Sequence, residues 1–313
     1  MRDCGNLRKA GGTAALICSA VLFGFTFVFQ KTAAEHLGAA AVTTLRFAIG
    51  AAALAAVIAV NDAIKLLRRR PRTSFGARAV TGGILSGAAL LAATLAQQTG
   101  LEYTTAGKAG FITALYIVFV PLIALVGGRR TAKSVWFACL VALAGFSLIA
   151  SSDSAGLNKG DLYILLSSLC YAVQVLLIDE YASGEDPFKF SFVQFCVVAL
   201  AGLPFAAAEG MPDVPSLGAA LPSLLYMGLA ASGAGYTLQV LGQQYVKPAS
   251  ATVILSAESV VALIGGVLVL HESGNVYETS GCVLALTGVC LAQAEFAHVF
   301  LPFPRIPAEK KSA

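Results

Sequence analysis

The stretch that decides the fold is Pro248–Glu272, PASATVILSAESVVALIGGVLVLHE. Its apolar run is long enough to cross a bilayer, whose ~30 Å hydrocarbon core takes about 20 helical residues. Glu258 interrupts that run. At about 1.5 Å per residue its carboxyl lies roughly 15 Å deep, near the bilayer midplane. A charge at that depth is costly, so its default reading is functional and it calls for a partner among the other helices.

Apolar runs of this kind recur along the whole chain. Hydrophobic residues make up 57% of it and charged residues 12%, about half the charged share of a soluble protein. The reading is an all-α, polytopic integral membrane protein. A net charge of +4 is then a matter of topology, and it does not argue for a nucleic-acid partner. Cys18, Cys139, Cys170, Cys196, Cys282 and Cys290 lie inside apolar runs, with no CxxC and no cysteine–histidine cluster. They read as small packing residues, and His36, His271 and His298 are too scattered for a metal site. No metal and no cofactor is implied. The first apolar run follows Arg8 and Lys9 as a signal peptide's would, but its length and the lack of a cleavage site favour an uncleaved span.

Ten spans can be drawn, at roughly 12–32, 39–60, 79–99, 106–127, 134–151, 160–180, 188–208, 217–242, 248–270 and 276–298. Turn and charge signals such as Asn61-Asp62, Gly127-Gly128-Arg129-Arg130 and Lys247-Pro248 separate them. With the N-terminus inside, 17 lysines and arginines fall on the inner side, against Lys31, Lys108 and Lys159 outside. Both termini are therefore expected to be cytoplasmic. The basic run Lys65–Arg78 reads mainly as a topology determinant, with anionic lipid head groups as the alternative partner.

The chain also repeats itself. Tyr103-Thr104-Thr105-Ala106 and Tyr245-Val246-Lys247-Pro248 match at an offset of 142, and Phe47 meets Phe195 at 148. Five spans are thus followed by five, and the odd number inverts the second half in the membrane. Many secondary transporters are built this way, with the substrate near the midplane between the halves. The expected units are 1–152 for the first repeat, 153–300 for the second and 301–313 for a cytoplasmic tail.

Several short motifs give this plan a family resemblance. Leu22–Lys31 resembles a W-G-x-x-F-x-x-x-K signature with Phe23 for the tryptophan, and Thr44-Leu45-Arg46-Phe47 resembles an LRF motif. Leu101–Ala106 resembles a small-residue turn before the fourth helix, and Pro121 falls where that helix commonly has proline. Ala257-Glu258 and His271-Glu272 resemble EP and GE positions, with Ser259 and His271 as departures. The chain resembles the drug/metabolite transporter superfamily in its EamA-type, ten-helix branch, over about residues 12–297. The resemblance implies export or exchange of small metabolites, amino acids or drugs, and an inner membrane of bacterial type as location. The partners expected are a small-molecule substrate and the lipid bilayer, with a homodimer admitted.

Polar residues within the spans are few enough to weigh singly. Arg46 lies about 10 Å below the outer surface. It is either a structural arginine tied to carbonyls, or an anion anchor or partner for Glu258. Gln97 and Gln239 correspond at offset 142, as do Thr94 and Tyr236; Tyr236, Gln239 and Gln243 form one helical stripe. Amides facing lipid would be unsatisfied, so these stripes either line a cavity or hydrogen-bond between helices. Phe23, Thr26, Phe27 and Gln30 share a face of the first span, and offset 148 sets Tyr171 and Gln174 against Phe23 and Thr26. Tyr116 is the counterpart of Glu258. Pro121 is expected to kink the fourth span, while Asp179, Glu180 and Lys31 are expected to be solvated. His271-Glu272 reads as a cap or interface before a gate. The substrate-cavity set is Phe23, Thr26, Gln30, Arg46, Thr94, Gln97, Tyr116, Tyr171, Gln174, Tyr236, Gln239 and Glu258, with Glu258 the proton-coupling candidate.

Among functions, a secondary transporter working by alternating access fits best. GxxxxGK[ST] is absent, so the sequence offers no ATP-hydrolysing motif, and the absence of HExxH and GxSxG disfavours an intramembrane enzyme. A nucleotide-sugar or sugar-phosphate exchanger is the alternative. It would want several basic residues in its cavity, and this chain offers Arg46 and at most Lys108. Neutral or zwitterionic cargo, such as amino acids, is therefore expected.

Overall fold

The computed structural model describes residues 2–69, 74–128, 133–150, 158–210 and 212–272, with a few further positions between 276 and 287. Among these the chain is all helix. The helices are α1 (Arg2–Ala34), α2 (Ala39–Leu67), α3 (Ala77–Leu101), α4 (Ala106–Thr113), α5 (Tyr116–Val126) and α6 (Lys133–Ala150). They are followed by α7 (Lys159–Tyr181), α8 (Pro187–Glu209), α9 (Val214–Leu225), a π-helical stretch (Tyr226–Tyr236), α10 (Thr237–Gln243), α11 (Pro248–Leu255) and α12 (Glu258–Val269). Eight segments are long and apolar enough to cross a membrane. They coincide with the first four expected spans and with spans six to nine. The fifth falls on α6, and the tenth lies largely outside the described residues.

Local chemistry starts the helices where the sequence turns. Thr105 caps α4 through Lys108 N at 3.2 Å, and Asn158 and Asp161 close a reciprocal capping box on α7. Asp186 precedes Pro187 at the start of α8 and accepts from Phe188 N at 3.0 Å. Two caps come from other helices. Glu209, at the end of α8, accepts from Ala40 N at 2.9 Å, and Glu272 accepts from Ala106 N at 2.8 Å. Carboxylates there satisfy orphan N–H groups and meet the positive end of the helix dipole. His271-Glu272 is thus a cap, as its position suggested.

These links sort the helix ends into two sets. One gathers Lys31, Ala40, Leu101, Ala106, Asn158, Glu209 and Glu272; the other gathers Gly12, Arg78, Ala182, Glu185, Gln244 and Tyr245. Between them α3 packs on α7 and α8, α2 on α8 and the π stretch, and α1 on α12. Small residues permit the closest crossings. A Cβ on Gly87 of α3 would lie 2.9 Å from Gln194 O of α8, and one on Gly24 of α1 would lie 2.4 Å from Val261 Cβ of α12. Such approach replaces the hydrophobic drive that lipid cannot supply.

The fourth span is interrupted upstream of Pro121, the residue expected to kink it. α5 runs through Pro121, and the interruption falls earlier, at Ala114-Leu115. Tight i→i−3 bonds bridge it, among them Val118 N to Leu115 O at 2.8 Å. Ser168 Oγ, from α7, donates to Thr113 O at 2.8 Å and occupies a carbonyl that the helix would otherwise use. The ninth span breaks at Ser256-Ala257, an offset of 142 away. There Ser256 and Ser259 donate their hydroxyls to Val253 O and Ser256 O, each at 2.7 Å. Tyr116 and Glu258 are therefore each the first residue of a half-helix.

Candidate substrate site between the half-helices

The two breaks face a small cavity. α1 contributes Phe23, Thr26, Phe27 and Gln30 to its wall, α2 contributes Arg46, and α3 contributes Gln97. Across from them stand Tyr171 and Gln174 of α7, Tyr236 at the end of the π stretch, and Gln239 of α10. Tyr116 and Glu258 come from the half-helix starts. Eleven of the twelve residues that sequence reasoning singled out are thus together. The twelfth, Thr94, is not: its hydroxyl donates to Leu90 O at 2.8 Å, which satisfies it within its own helix.

A chain of side-chain hydrogen bonds runs along the wall. Gln97 Oε1 accepts from Gln30 Nε2 at 3.2 Å and from the Tyr171 hydroxyl at 3.1 Å, while its Nε2 donates to Thr113 Oγ1 at 3.2 Å. The Tyr236 hydroxyl donates to that of Tyr171 at 3.3 Å. Gln239 Nε2 donates to Gln174 Oε1 at 3.3 Å and to Gln243 Oε1 at 3.1 Å. The amides at offset 142 therefore serve both roles proposed for them, bonding between helices and facing the cavity.

The charged groups are different. Arg46 is 2% exposed, and its Nε and Nη2 find no partner. Its guanidinium carbon stands 4.9 Å from the Phe47 ring centroid. Glu258 is 5% exposed, and its Oε1 is likewise unpartnered. Tyr116 brings its hydroxyl beside the Glu258 carboxyl without a hydrogen bond of full geometry. Among the described residues Arg46 and Glu258 form no ion pair. Tyr171 and Tyr236 instead lie within the electrostatic reach of both. The cavity thus carries a cation and a carboxyl, with two phenols and the Phe23 ring between; Phe23 packs on Tyr236 at 4.5 Å between centroids. Buried donors and acceptors left without partners cost free energy, and a polar ligand would satisfy them.

The comparisons with known proteins bear on what that ligand is for. The model of the EamA-like transporter family matches residues 10–151 and again 158–293. This chain belongs to the EamA-like transporter family. Two proteins of Archaeoglobus fulgidus, each described as an uncharacterized transporter, are similar to this EamA-like protein. One is 32% identical over 62% of this chain and 63% of its own length, so the match spans less than two thirds of that relative. The other is 26% identical over 91% of this chain and 97% of its own length. A solved structure titled "Crystal structure of protein" shares the fold, with a TM-score of 0.64 at 18% identity, over 90% of this chain and 98% of that one. The EamA-like protein is an integral membrane protein of the drug/metabolite transporter superfamily, and its general role is membrane transport.

Some features of the EamA-like cavity escaped the sequence. Thr113 and Leu255 both line it, and since they correspond at offset 142 the repeat signalled them. Val175 and Ala231 carry no such mark. Lys108 is not a cavity cation: its Nζ pairs with Asp161 Oδ2 at 3.0 Å, both side chains buried, at one end of the bundle. Thr104 Oγ1 adds a hydrogen bond to Asp161 at 3.2 Å. Lys31 is not simply solvated either, since it donates to Leu101 O and Thr104 O at 2.8 Å each. Asp179 is half-buried and Glu180 exposed.

Proposed function

We propose that the protein is a secondary transporter that exports or exchanges small zwitterionic or neutral metabolites, amino acids foremost, by alternating access. In this reading ten helices form two inverted halves in a bacterial-type inner membrane, with both termini cytoplasmic. The observation that carries it is the pair of buried charged groups, Arg46 and Glu258, which both line the cavity, are not bound to each other and each keep polar atoms without a partner. A carboxylate suits the Arg46 guanidinium through charge-assisted hydrogen bonds. An ammonium or amide N–H suits Glu258. A polyanion such as a nucleotide sugar would find a single arginine, because the ammonium of Lys108 is engaged with Asp161. Glu258 doubles as the group that carries a proton across when cargo is absent.

The test is flux in proteoliposomes. Counterflow of radiolabelled L-amino acids, assayed across the proteinogenic set, should be saturable with at least one of them and lost in Arg46→Gln. Glu258→Gln should abolish pH-gradient-driven accumulation yet spare counterflow. Failure of every amino acid would refute the cargo class, and unchanged pH-driven accumulation in Glu258→Gln would refute proton coupling.

A further inference from the structure

One turn of α8 holds buried polar atoms that the cavity does not use. Gln194 is fully buried, and neither its Oε1 nor its Nε2 has a hydrogen-bond partner. Ser191, one turn earlier on the same face, is equally buried and its Oγ equally unpartnered. Most buried side-chain polar atoms find at least one partner, so an amide with both ends orphaned calls for an explanation.

The repeat supplies one. At offset 148, Ser191, Gln194 and Phe195 of α8 stand for Thr43, Arg46 and Phe47 of α2. Both sets are buried and both carry orphaned polar atoms. Arg46 faces the cavity, whereas Gln194 lies outside it. The two counterpart helices pack directly on each other. Counterpart rings make part of that contact: Phe47 and Phe195 are 5.4 Å apart between centroids, and both touch Tyr236 of the cavity wall.

We propose that when the cavity changes the membrane face to which it opens, Gln194 and Ser191 turn onto it and take over the part of the cargo that Arg46 faces in the arrangement described above. The proposal rests on the alternating-access reading. It explains why an orphaned amide is tolerated: the atoms that lack partners in one state meet cargo or water in the other. It also assigns the second state its chemistry. Gln194 and Ser191 bring only neutral donors to a carboxylate, without the opposite charge and the paired N–H fork that the Arg46 guanidinium offers. Cargo is then gripped from the face that Arg46 serves and released from the face that Gln194 serves.

The experiment uses the full chain with its native cysteines replaced by alanine, in right-side-out and everted vesicles. Arg46→Cys, Ser191→Cys and Gln194→Cys are each exposed to the membrane-impermeant reagent trimethylammonium-ethyl methanethiosulfonate. Arg46→Cys, on the cavity wall, should be modified from one face, and Ser191→Cys and Gln194→Cys from the other, with labelling lost when the reagent is on the wrong side. The proposal is overturned if the two α8 cysteines are unreactive from both faces, or if all three react from the same face. Ser191→Cys, a change of one atom, keeps the test open should Gln194→Cys misfold. Labelling needs no cargo, so opposite-face labelling supports the exchange even where amino-acid counterflow fails, which would overturn the cargo class alone.

Discussion

Replacing Lys108 by methionine should destabilise the protein by about 3 kcal/mol, near the lower end of the range for breaking a buried ion pair by removing one partner. The structure sets the figure. Lys108 and Asp161 are 3% and 1% exposed by side chain, with 3.0 Å between charged atoms, so the carboxylate left behind has little access to water. Asp161 retains hydrogen bonds from Asn158 N at 3.0 Å and Thr104 Oγ1 at 3.2 Å, which keeps the loss from the upper end. Asp161→Leu alone leaves the lysine buried without that carboxylate and should also be destabilising. The double variant removes both charges and should recover most of the loss, because well-packed apolar residues replace buried ion pairs at little cost. The assay is equilibrium unfolding in mixed dodecyl-maltoside and SDS micelles, read as a double-mutant cycle. A coupling energy below about 1 kcal/mol, the range of exposed pairs, would refute the claim that this pair is desolvated.

Three further outcomes follow from the same geometry. Gly24→Ala should cost about 3 kcal/mol in the same unfolding assay and impair transport, because the new Cβ would sit 2.6 Å from Glu258 O, a backbone atom that cannot swing away. Gln97→Leu removes a partner of Gln30, Tyr171 and Thr113 at once and should cost about 2–3 kcal/mol, less than the sum of three orphaned groups because the Tyr171 hydroxyl keeps its bond from Tyr236. Asp213, the fully exposed cap of α9, is held below the ordinary carboxylate value by hydrogen bonds from the side chain and then the backbone of Ser216. Its stabilisation is therefore present above the ordinary carboxylate pKa and lost as pH falls through the lowered value, so Asp213→Asn should weaken the acid-dependence of α9 fraying measured by hydrogen exchange.

Much of the cavity was legible because the membrane makes polar residues conspicuous. Arg46, Gln97, Gln239 and Glu258 stand out against runs of Ala, Val and Leu, and helical spacing with a repeat offset was enough to bring them together. Thr94 shows the limit of that argument: a threonine can satisfy its hydroxyl on its own helix, whereas the Gln97 amide reaches α1, α4 and α7. Helix breaks at Ala114-Leu115 and Ser256-Ala257 were hidden, since neither contains proline or glycine and the carbonyls concerned are taken up by serine hydroxyls, in one case from another helix. The Lys108–Asp161 pair was hidden for a different reason. Its members are 53 residues apart in sequence, each near a span end where charge is unremarkable, and only the packing of α4 on α7 buries them together.

The π-helical stretch from Tyr226 to Tyr236 has a consequence for how this chain can change in length. A π turn holds more residues than an α turn, so the stretch carries surplus backbone relative to the helices it joins. Removing one residue from it would let the backbone tighten towards ordinary α geometry without shortening the span much. Tyr236 and Gln239 would then keep roughly their present facing, because ten residues wound as α turn about as far as eleven wound more loosely. Loss of a single codon here is absorbed as pitch, whereas the same loss within α3 or α7 would turn every residue beyond it by about 100°.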